Sequence, residues 1–119
     1  MKSIFAFLTS FGFCLVLNLL NAQTTYNLDW GFGSANQQTT IELGDTITWT
    51  WTGGRHNLTS SSGVESFDSG YSSTSEFTFS KTFNIVGETT YICTPHSGQM
   101  YGVVAVTPPA PTGESVQLI

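Results

Sequence analysis

Positive charge is nearly missing from this chain: three Lys and Arg stand against eight Asp and Glu in 119 residues, a formal net charge of −5. One of the three, Lys2, falls in the N-terminal segment, which leaves Arg55 and Lys81 for everything after it. Nucleic acid is bound by neutralising phosphates with Lys and Arg, so a surface this poor in cations excludes it as a partner and favours basic or neutral ones. The carboxylates are scattered along the chain, and no acidic docking patch is read from them. Cysteine is equally sparse. Cys14 and Cys93 are the only two, and Cys14 lies in the N-terminal segment. A disulfide framework is excluded for the remainder, which keeps one thiol.

Long apolar runs are confined to the start. Ile4 to Leu20 is mostly apolar, Lys2 is the only charge before it, and Leu20-Asn21-Ala22 sets a small residue at a cleavage point. Residues 1–22 read as a signal peptide cut after Ala22. A retained anchor is the competing reading, but an apolar stretch of about 17 residues interrupted by Ser, Thr and Asn is at the lower limit for a span. Phe13 precedes Cys14 where a lipoprotein signal needs a small residue, so lipid attachment there is not expected. The mature chain from Gln23 is expected to be exported, periplasmic or secreted, without a membrane span, and monomeric. Its two cations and eight carboxylates make a formal charge of −6. In an oxidising compartment its lone Cys93 is paired between molecules, buried as a simple thiol, or bound to a metal.

Helix signals are almost absent. Runs rich in Thr, Val, Ile and aromatics predict strands over Thr24–Trp30, Thr39–Glu42, Asp45–Trp51, Glu76–Phe83, Thr89–Cys93 and Gly102–Thr107. Clusters at Gly31–Ser34, Gly53-Gly54, Ser60–Gly63 and Ser69–Ser75 predict turns and loops, as in an all-β sandwich. Alternation sends Ile47, Trp49 and Trp51 to one face and the intervening threonines to the other. Phe77, Phe79 and Phe83 follow the same rule, with Lys81 in the fourth place. Three tryptophans and five phenylalanines can fill the core of one domain over residues 23–107. Pro108-Pro109-Ala110-Pro111 cannot extend a paired strand, and residues 108–119 read as a linker or tail.

Chemistry concentrates in Tyr91-Ile92-Cys93-Thr94-Pro95-His96-Ser97-Gly98-Gln99-Met100, which sets a thiol, an imidazole and a thioether within eight residues. The two-residue strand period turns Tyr91 and Cys93 inward, and Pro95 restricts the backbone before His96. His56, the other histidine, must come from another loop. Taken singly, each of these residues reads as loop or core. Together, two His, one Cys and one Met form the donor set of a type 1 copper centre, with Met as a weak axial ligand. Zinc is the competing ion, but structural zinc takes four strong ligands and only three are present.

Gly44-Asp45-Thr46-Ile47-Thr48-Trp49, then His56-Asn57, then Tyr91-x-Cys93-x-Pro95-His96 and Met100-Tyr101-Gly102 resemble the cupredoxins, and among them the plastocyanin, pseudoazurin and amicyanin group. The resemblance covers Thr24 to Thr107. It implies a Greek-key β-sandwich holding one type 1 copper, with His56, Cys93 and His96 as strong equatorial ligands and Met100 as the axial one. It implies also that Asn57 and Thr94 tie the two ligand loops together by hydrogen bonds. Asn57-Leu58-Thr59 matches a glycosylation acceptor, but the structural role is preferred beside a buried ligand. Three residues separate His96 from Met100, where plastocyanin-like loops commonly carry four and amicyanin-like loops two. Ile92 stands where plant plastocyanins carry a tyrosine, which argues against a photosynthetic role.

The function implied is single-electron carriage by Cu(II)/Cu(I) cycling, with an unidentified redox protein docking near His96. Phe32 either contributes to that docking face or caps the core. A copper-delivery module without a redox partner is the alternative. An enzyme is not expected, because both histidines beyond the leader are already assigned and none remains for a second, catalytic copper.

Overall fold

The computed structural model describes residues 22–111. The signal peptide read at residues 1–22 therefore lies outside the described part except for Ala22, as do residues 112–119 of the tail. Seven strands run β1 Thr25–Trp30, β2 Gln37–Glu42, β3 Thr46–Trp51, β4 Thr59–Gly63, β5 Thr78–Thr82, β6 Gly87–Ile92 and β7 Tyr101–Thr107. They form two sheets, ordered β1-β3-β5 and β2-β7-β6-β4. In each sheet one pair is parallel, β1 with β3 and β2 with β7, and the remaining pairs are antiparallel. Every connection from β1–β2 through β5–β6 crosses between the sheets and β6–β7 stays within one, which is the Greek-key sandwich the resemblance implies. No helix among the described residues is long and apolar enough to cross a membrane.

Period-2 patterning decides the layers. Ile47, Trp49 and Trp51 face inward from β3 and are completely buried, while Thr46, Thr48 and Thr50 face out. The outward hydroxyls pair across the strands, Thr46 with Thr82 at 2.6 Å and Thr48 with Ser80 at 2.7 Å. From the other sheet, Ile41, Tyr91, Val104 and Val106 close the core against the three tryptophans. Burial pushes the Tyr91 phenol up to about 12, so it stays neutral and donates to Gln37 Oε1 at 2.6 Å.

Two expectations are corrected. Ser60–Gly63, read as a loop, belongs to strand β4, which pairs with β6 through a bulge between Ser60 and Ser62. Serine has little strand preference of its own, but β6 offers an open ladder and Thr90 bonds Ser61 and Ser62 through their hydroxyls at 2.7 and 2.8 Å; pairing overrides propensity. Likewise β2 starts at Gln37, two residues before the apolar pattern, because β7 pairs with it from Gly102 onward. Among the phenylalanines, Phe83 is buried and Phe67, Phe77 and Phe79 pack against the core, but Phe32 is 64% exposed and takes no part in it.

Lys81, which interrupts the aromatic face of β5, finds its partner at the end of the sandwich away from Cys93. Its Nζ lies 2.9 Å from Glu65 Oε1, and the Glu65 side chain is only 6% exposed. Glu65 Oε2 accepts the backbone N–H groups of Asn84 at 2.7 Å and Ile85 at 2.9 Å. Burial raises the pKa of this carboxyl, but Lys81 and the two N–H groups outweigh it and hold it below the ordinary value near 4.5. A depressed folded pKa means stability that is present above the unfolded value and lost as pH falls through the folded one. Glu65→Gln is expected to cost about 1–3 kcal/mol near neutral pH. Denaturant unfolding should show the gap to the parent protein closing as pH drops below 4.5, whereas a pH-independent gap would assign the loss to packing instead.

Candidate metal centre

Three loops meet at the end of the sandwich where β1, β3 and β6 finish. Cys93 follows β6 directly, with its sulfur turned inward and fully buried. Thr94–His96 then forms a 3₁₀ turn opened by Pro95, and the His96 N–H bonds back to Cys93 O at 2.9 Å. The same turn is closed by Met100, whose N–H donates to His96 O at 2.9 Å and whose carbonyl accepts from Cys93 N at 3.0 Å. Met100, immediately before β7, is fully buried. The segment from Cys93 to Met100 is thus a closed loop stitched by its own backbone.

His56 arrives from the β3–β4 connection and is completely buried. Its Nδ1 lies 3.7 Å from Cys93 Sγ and 3.3 Å from His96 Nδ1, and His96 Nδ1 lies 3.3 Å from Cys93 Sγ. One donor atom from each of the three residues thus faces a single point. A triangle with those sides has its centre about 2.0 Å from every corner, the length of a metal–imidazole bond. Two imidazoles and a thiol, with no carboxylate among them, suit a soft or borderline transition-metal ion and not calcium or magnesium.

The tautomer of His56 is set by its other nitrogen. Nε2 lies 2.8 Å from Gly53 O. A carbonyl can only accept, so Nε2 carries the hydrogen and Nδ1 keeps a free lone pair toward the cluster. Burial lowers the pKa of this imidazole, the Gly53 bond opposes that, and His96 lowers it further, so the ring is neutral at pH 7. The Gly53-Gly54 pair makes the contact possible. Both have positive φ, +136° and +88°, and a Cβ on Gly54 would stand 2.8 Å from His56 Nε2.

Around these donors lies a frame of hydrogen bonds. Asn57 Oδ1 accepts from Thr94 N at 2.8 Å and Asn57 Nδ2 donates to Thr94 Oγ1 at 3.0 Å, which joins the two ligand loops. Asn57 is only 4% exposed, so it is no glycosylation acceptor in the folded chain. The His56 and Ser72 backbones bond reciprocally at 3.1 and 3.0 Å. Trp51 Nε1 donates to His56 O at 3.2 Å and Trp30 Nε1 to Asn57 O at 2.9 Å. Those two indoles were legible in the sequence only as core. Their role in clamping the His56-Asn57 peptides had no sequence signal, because it depends on where a different loop ends.

One edge of the cluster reaches the surface. His96 is half-buried, and the exposed Phe32 ring stands edge-on to it at 4.6 Å and to His56 at 5.4 Å. Phe32, Arg55, Tyr71, Pro95 and the two histidines line an open cavity of about 500 Å³.

Residues 30–107 match the family model of copper binding proteins, plastocyanin/azurin family. The chain is similar to halocyanin of Natronomonas pharaonis, 43% identical over 70 residues. That alignment takes in 56% of this chain and 43% of halocyanin, so the chain spans less than half the length of this relative. Among solved structures it is similar to an oxidised amicyanin variant, with a TM-score of 0.60 and 26% identity over 70% of this chain and 82% of that one. A Cu(I) amicyanin variant matches with the same values.

Gly54→Ala introduces both backbone strain and a contact with the His56 ring. Gly70, at φ +73° with open space around it, isolates the first effect. Gly54→Ala is expected to weaken copper binding by about tenfold or more, and Gly70→Ala to leave it unchanged. Competition titration against a copper chelator checks this, and equal affinities for the two variants would remove the Gly53–His56 contact from the site's design.

Proposed function

The chain belongs to the plastocyanin/azurin family of copper binding proteins, and from that premise we propose that it is an exported carrier of single electrons and not an enzyme. It binds one copper per chain. His56 Nδ1, Cys93 Sγ and His96 Nδ1 would be the strong ligands, and the Met100 thioether the weak fourth. The observation that carries this reading is the convergence of those three donor atoms at 3.3–3.7 Å from two separate loops. Bound copper supplies a one-electron couple whose potential responds to the thiolate, the thioether and the dryness of the surroundings.

The protein's own part is to keep the donors still. His56 is held at its ring by Gly53 and along its backbone by Trp51 and Ser72. The Asn57–Thr94 pair fixes the distance between the loops. A site held this firmly changes little between oxidation states, which keeps the reorganisation of each transfer small. Burial of His56, Cys93 and Met100 keeps water away from the donors. The half-buried edge of His96 is the proposed port, and Phe32, Pro95 and Tyr71 around it are the proposed docking face for a redox partner. Export is supported by the composition of residues 1–22 and suits a lone thiol that is occupied by metal.

Purified protein freed of metal and titrated with Cu(II) is expected to develop an intense thiolate charge-transfer band at one copper per chain, absent from Cys93→Ser. A weakly absorbing product in the parent protein would sink the electron-carrier reading. Phe32→Asp should leave that band unchanged and slow electron self-exchange between copies, measured by NMR line broadening in partly oxidised samples. Loss of a central aromatic contact costs roughly 1–2 kcal/mol, so the expected slowing is about tenfold, and an unchanged rate would take Phe32 out of the docking face.

A further inference from the structure

Both ends of the sandwich carry carboxylates, and each carries one cation. Glu42, Asp45, Glu65 and Glu88 lie where β2 and β4 finish and β6 begins, at the end away from Cys93. Toward the metal end lie Asp29, near the end of β1, Asp68, bridged to Thr59 at the start of β4, and Glu76, together with Arg55. Of the two cations among the described residues, Lys81 is bound to Glu65, whereas Arg55 has no carboxylate within ion-pair distance there. The guanidinium lies instead 4.8 Å from the centre of the Tyr71 ring, a cation–π contact that orders it without neutralising it. Arg55 and Tyr71 line the same cavity as His96 and Phe32.

The net negative charge by itself would attract a basic partner. Local complementarity at the port has the opposite sign. A guanidinium is weakly hydrated and offers a planar fork of donors that a carboxylate matches with two hydrogen bonds. We propose that the cavity beside His96 receives a carboxylate of the redox partner, paired with Arg55 and flanked by Phe32 and Tyr71. The partner's docking face is then apolar with an acidic group set in it. This rests on the electron-carrier reading above. Arg55 acts through docking, selecting among partners and orienting them, and touches no reacting atom.

Two small complexes of opposite charge test it. Hexacyanoferrate(II) and hexaammineruthenium(II) each give up one electron, becoming the iron(III) and ruthenium(III) complexes, while the protein's Cu(II) becomes Cu(I); no proton or further reactant is needed. Stopped-flow rates are taken near 0.1 M salt, where charges beyond about 10 Å are largely screened. Arg55→Gln is expected to slow reduction by the iron complex about threefold and to leave or raise the rate with the ruthenium complex, the difference fading as salt is added. A second readout needs no electron transfer. Titrating the Cu(I) protein with the redox-inert anion hexacyanocobaltate(III) should shift NMR signals of Phe32, Arg55, Tyr71 and His96, and Arg55→Gln should abolish those shifts. Equal iron-complex rates in the two proteins, or shifts that persist in the variant, would overturn the proposal. Failure of both complexes to reduce the copper protein would overturn the electron-carrier reading, and the NMR titration would still decide whether Arg55 receives an anion.

Discussion

Two imidazole nitrogens and a sulfur are held 3.3–3.7 Å apart, and the surrounding protein is arranged to keep them facing one point. The bracing comes from several directions at once. Gly53 holds one ring, the Asn57–Thr94 pair spans the loops, and two indole N–H groups hold the peptides of His56 and Asn57 from beneath. Each of these bonds is modest alone, worth about 0.5–1.5 kcal/mol net. They act on groups that are buried, where an alternative arrangement would leave polar atoms without partners, and this makes the frame stiff.

The sandwich serves the centre by supplying its floor. Trp30 and Trp51 end their strands at the metal end, so their rings belong to the core and their N–H groups to the site. The same side chains that drive folding by burying apolar area thereby fix the height of the His56 loop. At the other end, Glu65 and Lys81 perform a comparable task for the turn at Asn84 and Ile85. The far end is thus closed by an ion pair and the metal end by aromatic rings.

Much of this was legible from residue order. Alternation in Thr46-Ile47-Thr48-Trp49-Thr50-Trp51 placed the inner and outer faces of β3 correctly, because a strand's period leaves no freedom once one face is apolar. The all-β class, the two-sheet architecture and the copper followed from strand patterning and from a donor set too sparse to be incidental. Strand β4 was not legible, since Thr59–Gly63 is a strand only because β6 lies beside it with an open edge. Phe32 was undecided for a similar reason. An aromatic in a glycine loop carries no periodicity, and its place over His96 is set by the path of the β1–β2 connection.

By itself, therefore, the sequence determined which chemistry the protein could have: the side chains able to bind copper are so few that their identities limit the ion, and their positions after strand-forming runs limit where they project. Only the tertiary structure decided that His56, nearly forty residues before Cys93, presents Nδ1 and not Nε2 to the cluster, that the tryptophans double as clamps, and that the arginine without a carboxylate partner among the described residues stands at the port. Those facts arise where loops from different strands meet. Contacts between them depend on distances through space, and residue order along one strand carries no information about the neighbour that a different loop will bring.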